Sequence, residues 1–176
     1  MNYTDVETLE AYGHFENTSE ATRAMLNRLI EVASAQVDRY CGRVFAIAPE
    51  AATVTKTYTE ANGLLYQLDG VLWLNEDLCS TPTIATMLGA PTLTYIPANT
   101  PYDRIYRDDG QWEDPTTIAG HWAYSMTPPP EIEQATLRLA LDMVPVSGYT
   151  GETFRPGRMD EDVKALLNPY RRRKMP

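Results

Sequence analysis

The chain has 176 residues, a formal net charge of −9, 43% hydrophobic residues and 22% charged residues. That length fits one domain, or one domain carrying a large insertion, with a core that needs no disulfide or metal to hold it. No apolar run approaches the roughly 20 residues of a membrane span, so no membrane partner is expected. The first residues carry Asp5, Glu7 and Glu10 where a secretory signal would be positive. The expectation is a protein made and kept in a cytoplasm. Arg171, Arg172, Arg173 and Lys174 hold four of the fifteen basic residues. An acidic body with a short basic tail lacks the basic face of a general DNA binder. Cys41 and Cys79 form no Cys-x-x-Cys pair, and with His14 and His121 they match no metal-ligand spacing. They read as buried free thiols of a reducing compartment, and no metal or other cofactor is expected.

Thr4-Asp5-Val6-Glu7 reads as a capping box that opens a short helix, with Gly13 closing it. A second start signal lies at Asn17, with Glu20 three residues on. From there Leu26, Leu29, Ile30, Ala33, Val37 and Tyr40 recur at steps of three and four, predicting one long amphipathic helix over about 18–41. Gly42 is its natural stop.

After Pro49 the chain changes character. Thr53–Thr59 alternates β-branched and aromatic residues and predicts a strand. Leu64–Leu68 and Val71–Leu74 flank Asp69-Gly70, a strong hairpin turn. Thr83–Met87 and Thr92–Ile96 are further candidates around Gly89-Ala90-Pro91. Asp108-Asp109-Gly110 reads as a turn and Thr116–Tyr124 as a last strand. Residues 50–125 are thus expected to form a β-rich module of about six short strands. Helix returns after Pro128-Pro129-Pro130, over about 130–144, with Ile132, Ala135, Leu139, Ala140 and Met143 inward. Residues 146–159 read as a loop. Asp160 caps a short last helix, about 160–168, with Val163, Leu166 and Leu167 inside, ended by Asn168-Pro169. The predicted fold class is α+β: a small helical bundle carrying an inserted β-rich module.

No P-loop, Gly-x-Ser-x-Gly or Gly-x-Gly-x-x-Gly motif is present. The carboxylate pairs Glu76-Asp77, Asp108-Asp109 and Glu113-Asp114 all fall in predicted turns, where such residues are commonly solvated or bond their own backbone. No enzymatic activity is expected. The aromatic residues of the β module are a different matter, since tyrosine and tryptophan favour protein interfaces as well as cores. Tyr102, Tyr106 and Trp112, together with Arg104 and Arg107, are candidate inter-subunit contacts; Trp73 and Tyr95 belong to the same aromatic set.

Three segments carry a resemblance. The first is Asp38-Arg39-Tyr40-Cys41-Gly42-Arg43 at a helix end, followed by an extended Thr55-Lys56-Thr57-Tyr58. The second is Gly120-His121-Trp122-Ala123-Tyr124, leading through prolines into Ile132-Glu133-Gln134-Ala135. The third is Asp160-Glu161-Asp162-Val163-Lys164-Ala165-Leu166-Leu167-Asn168-Pro169-Tyr170-Arg171-Arg172. Their order resembles the head–tail connector (head completion, or adaptor) proteins of tailed bacteriophages. Ala123 stands where that family usually has glycine. The resemblance implies a structural virion protein of the neck, assembled in the host cytoplasm. It implies a homo-oligomeric ring of about twelve copies that binds the portal protein and a downstream neck or tail completion protein. Packaged DNA would pass through the channel without sequence-specific binding. The family's ending implies that Tyr170, Arg171, Arg172, Arg173 and Lys174 dock on the portal, as a free tail that orders on binding. The alternative is a cytoplasmic regulatory module whose basic tail binds nucleic acid.

Overall fold

The computed structural model describes residues 1–48, 51–61, 67–84, 92–144 and 159–172. The chain divides into a helical unit, Met1–Arg43 with Pro128–Pro176, and a β unit, Val44–Thr127. The fold is α+β, as the sequence predicts.

The helical unit contains α1 (Val6–Gly13), α2 (Glu20–Cys41), α3 (Pro130–Asp142) and α4 (Glu161–Leu167), the last running into a 3₁₀ turn over Asn168–Tyr170. The caps differ by a residue or two from the sequence expectation. Asp5, not Thr4, caps α1 and accepts the Thr8 amide at 2.7 Å. Ser19, not Asn17, caps α2 and accepts the Thr22 amide at 3.2 Å. Asn17 instead takes a positive φ in the turn before it. The residue after α1 is left-handed, and it is His14 rather than the glycine beside it. Gly42 does end α2 at φ 67° and returns its amide to Asp38.

Leu26, Ile30, Ala33 and Val37 are fully buried and make the inner face of α2, with Ser34 and Cys41 beside them. Leu29 is only half-buried, a correction to the predicted stripe. The face that meets α3 is centred one residue further on, where Ile30 stands. Ile132, Ala135, Leu139 and Ala140 answer it from α3, joined by buried Thr136 and Leu137. Thr136 satisfies its hydroxyl on the Ile132 carbonyl at 2.8 Å. Met143 lies past the end of α3 and is half-buried. Val163 and Leu167 seat α4, whereas Leu166 is half-buried. The predicted loop over 146–159 lies, apart from its last residue, outside the described residues.

The β unit holds two antiparallel sheets. One has the order β1–β7–β4, from Val54–Tyr58, Thr116–Gly120 and Thr83–Ile84. The other has the order β2–β3–β6–β5, from Gln67–Leu68, Val71–Leu78, Tyr102–Arg107 and Leu93–Ile96. Tyr58 and Ile118 of the first sheet share one buried cluster with Leu72, Leu74, Leu78 and Ile105 of the second. Trp112 and Trp122 close that cluster. The hairpin at Asp69-Gly70 is as predicted: both residues have positive φ, at 52° and 78°. Residues 64–66, 85–87 and 89–91 of the predicted strands and turn lie outside the described residues.

Two findings correct the sequence reading of this unit. Tyr102–Arg107 is a central strand that the sequence reading missed, because Tyr-Asp-Arg-Ile-Tyr-Arg has a single aliphatic residue. Glu76 and Asp77 lie in β3 and not in a turn. A register shift between Trp73 and Leu78 lets the strand run on past its apolar start. Glu76 there pairs with Lys56, and Asp77 turns inward and is buried.

The seating of α2 separates two neighbouring substitutions. Ile30→Ala is expected to cost about 2–5 kcal/mol of unfolding free energy, and Leu29→Ala less than half as much, both read from urea melts.

Candidate assembly interface

Strand alternation gives the four-stranded sheet an inner and an outer face. Leu72, Ile105 and Tyr95 lie opposite one another across β3, β6 and β5, and belong to the core side. Their neighbours form the outer rows Val71–Tyr106–Thr94 and Trp73–Arg104–Ile96. Arg104 lies over the Trp73 ring, 4.8 Å from its centroid, and its Nε donates to Asp103 at 2.8 Å. Among the described residues the terminal nitrogens of Arg104 have no hydrogen-bond partner. The outer face is therefore a half-buried patch of Trp73, Tyr106, Ile96 and Val71 around one stacked guanidinium, the chemistry enriched at protein contacts.

The other sequence candidates sit differently. Arg107 is 2% exposed. Its Nε and Nη2 grip Asp109 at 2.8 and 2.6 Å, its Nη1 donates to Glu113 at 2.6 Å, and it lies over Trp112. This bidentate clamp holds the Asp109 carboxyl below the usual carboxylate range. Trp112 is 6% exposed and donates from Nε1 to the Gly70 carbonyl at 2.9 Å. The same carbonyl takes the Arg107 amide at 3.0 Å. A Cβ on Gly70 would come within 2.7 Å of the Arg107 carbonyl, so this position requires glycine for room as well as for its φ. Arg107 and Trp112 are engaged within the chain and offer little surface to a second copy. Tyr102 leans toward the core with its ring centroid 5.0 Å from that of Tyr95.

The C-terminal segment is tied to the helical unit as far as Arg172, in contrast to the expected free tail. The Tyr170 hydroxyl donates to Glu131 Oε2 at 2.8 Å, a bond that lowers the Glu131 pKa. The Tyr40 hydroxyl donates to Asn168 Oδ1 at 2.8 Å, and Arg171 lies over the Tyr40 ring at 5.1 Å. The Arg172 amide donates to the Cys41 carbonyl at 2.8 Å. The segment thus completes the unsatisfied last turn of α2. No hydrophobic stripe in the sequence marks this anchor, because it is made of side-chain hydroxyls and backbone groups. Arg173 and Lys174 lie outside the described residues.

The cysteines are free and buried. Burial pushes the Cys41 thiol up to about 11 and also raises that of Cys79. His121 places Nε2 3.1 Å from the Ala51 carbonyl, while His14 is exposed at the end of α1. Among the described residues no group of three or more His, Cys, Asp or Glu side chains is placed to hold a metal.

No protein-family model matches the chain, and no curated protein matches it either. Among solved structures, the chain is similar to one described as the neck of an empty GTA (gene transfer agent) particle computed with C6 symmetry. The TM-score is 0.63 at 13% identity, over 98% of this chain and 91% of that chain. At that identity the likeness is one of fold, and it takes in the helices and the β unit together.

Two outcomes follow from the bonding around Arg107 and Tyr170. A carboxyl with a depressed folded-state pKa stabilises above its unfolded pKa of about 3.9, and that contribution is lost as pH falls through the folded value. Thermal melts of the wild type should therefore show a destabilisation below about pH 4 that is smaller in Asp109→Asn. Tyr170→Phe should leave the helical content unchanged and speed hydrogen exchange of the Arg172 amide, read by NMR.

Proposed function

We propose that this chain is a structural adaptor subunit in the neck of a tailed-phage-like particle, without catalytic activity. The observation that carries the reading is the shared fold, over nearly the whole chain, with a chain of a phage-like neck. Three sequence segments separately resemble the head–tail connector proteins of tailed phages. Copies form a ring around the DNA channel. A neck computed with C6 symmetry is compatible with rings whose copy number is a multiple of six, and twelve satisfies that. A closed ring needs heterologous contacts, one patch meeting a different patch on the next copy. The outer sheet face with Trp73, Arg104 and Tyr106 supplies one such patch, supported from behind by Arg107 and Trp112.

Portal docking falls to the C-terminal segment in this reading. Tyr170, Arg171 and Arg172 form its base on α2 and α3, and Arg173 and Lys174 follow them in the sequence. Arginines suit an acidic portal surface because they form bidentate carboxylate pairs. The downstream partner is a neck or tail completion protein. Packaged DNA passes without sequence-specific binding, in keeping with the acidic body. The complex belongs to the virion neck and assembles in the host cytoplasm.

Negative-stain images of the purified chain at high concentration should show rings of about twelve copies. A chain that stays monomeric and binds DNA in a salt-sensitive manner would overturn the adaptor reading in favour of a nucleic-acid module. Removing residues 173–176 spares the Tyr170–Arg172 anchor, so the shortened chain should fold and form rings normally. It should fail to attach to DNA-filled heads, measured by co-sedimentation, and undiminished attachment would remove the tail from the docking site.

A further inference from the structure

The long helix α2 carries a second stripe besides its buried one. Ala21, Met25, Arg28, Val32, Ala35 and Arg39 follow one another at alternating steps of four and three, and all six are exposed. Met25 and Val32 are 37% and 45% exposed, among the few large apolar side chains of the chain left in water. Among the described residues Arg28 and Arg39 have no ion-pair partner. A spacing of four and three over this length is the seam spacing by which one helix seats on another element. Among the described residues nothing covers it, and α2 packs on α3 through the opposite face.

A complementary surface lies elsewhere on the same unit. The C-terminal end of α1, the end of α3 and the start of α4 enclose a cleft of about 270 Å³. Tyr12 and Leu141 give it apolar walls, and among the described residues that line it Asp142, Asp160 and Asp162 outnumber the one cation, Arg138. The volume is below that of small-molecule sites, which run from about 300 to 1,000 Å³, and suits a protruding side chain. Burial, and then the charge of Asp160, hold the Asp142 carboxyl above its ordinary pKa, with Arg138 only partly opposing. A second guanidinium would relieve that repulsion.

We infer that the outward stripe of α2 docks on this cleft of the next copy of the same chain, with Arg28 or Arg39 entering among Asp142, Asp160 and Asp162. The inference rests on the ring reading above and names a contact in it. Charge decides between this and self-pairing of the stripe. Two α2 helices packed antiparallel about Val32 and Ala35 would set Arg28 beside Arg39 of the other copy, and packed parallel would set each arginine beside its own equivalent. Both arrangements bring like charges together, whereas the cleft offers an excess of carboxylates. Glu31, beside the stripe, is hydrogen-bonded to Asn27 at 3.3 Å. One copy presents both halves on different elements, as a closed head-to-tail ring requires.

Charge reversal tests the contact in the full chain. Arg28→Glu with Arg39→Glu, or Asp142→Lys with Asp162→Lys, should each leave far-UV circular dichroism unchanged, because all four residues are exposed. Each pair of changes should raise the concentration at which rings half-assemble by about 10–100-fold, read by light scattering. The chain carrying all four changes restores opposite charges across the contact and should recover rings. Rings from either reversed chain at the wild-type concentration, or a four-fold variant that folds and remains unassembled, would overturn the contact and leave the adaptor reading standing. A wild-type chain that forms no rings, alone or on isolated heads, would instead overturn the adaptor reading and this contact with it.

Discussion

The helical unit depends on the fit of one apolar face. Leu26, Ile30, Ala33 and Val37 of α2 are fully buried, and the parts attached to α2 sit on the frame this burial makes. The N-terminal strand of chain is pinned there by Tyr3, whose amide donates to the buried Ser34 hydroxyl and whose own hydroxyl bonds Asp38. The other end of α2 receives the C-terminal segment at Tyr40 and Cys41. Buried side chains of this size contribute about 1.5–3 kcal/mol each, whereas the surface hydrogen bonds that dock the termini are individually weaker. The apolar face therefore holds the helices, and the polar contacts choose where the termini lie on them.

The β unit solves a different problem, a buried positive charge beside a tight turn. The guanidinium is buried while its carboxylate partners remain partly exposed, and the bidentate geometry commits Arg107 to Asp109 and Glu113. Its strand neighbour Arg104, one residue from the core position Ile105, points to the opposite face, and among the described residues its terminal nitrogens meet no acceptor. Alternation along β6 thus divides two arginines, three positions apart, between structural and contact duties. The outer face takes its aromatic content from the same strands that bury the core on the other side.

The molecule's surfaces bear on the proposed adaptor role. Its buried thiols are held protonated by their surroundings, and its carboxylates are spread among turns, helix starts and strand edges. What it presents is area: an aromatic sheet face, an exposed helical seam and a basic end anchored at its base. Each is a feature that a neighbour can cover, and the proposed ring, with a copy on either side of each subunit and partners above and below, would use several.

Much of this was legible in the residues themselves. The apolar period of α2, Gly42 after it, Asp69-Gly70 between two apolar runs and the proline entry to α3 each express a local rule, because backbone preference and side-chain period act over a few neighbours. The joint order of Asp38–Arg43, Gly120–Tyr124 and Asp160–Arg172 also carried the family resemblance. Other features were decided only by contacts distant in sequence. Tyr102–Arg107 is a strand because Leu72 and Tyr95 flank Ile105 on either side, which its own polar composition does not announce. Whether Arg104 or Arg107 faces outward depends on which side the core lies. Arg171 and Arg172 look like an untethered charge run until Tyr40 and Cys41, more than a hundred residues earlier, take hold of them. Sequence determines periods and turns because their energies are local. The face that is buried and the charge that is left free are set by long-range packing, and only the tertiary structure assigns them.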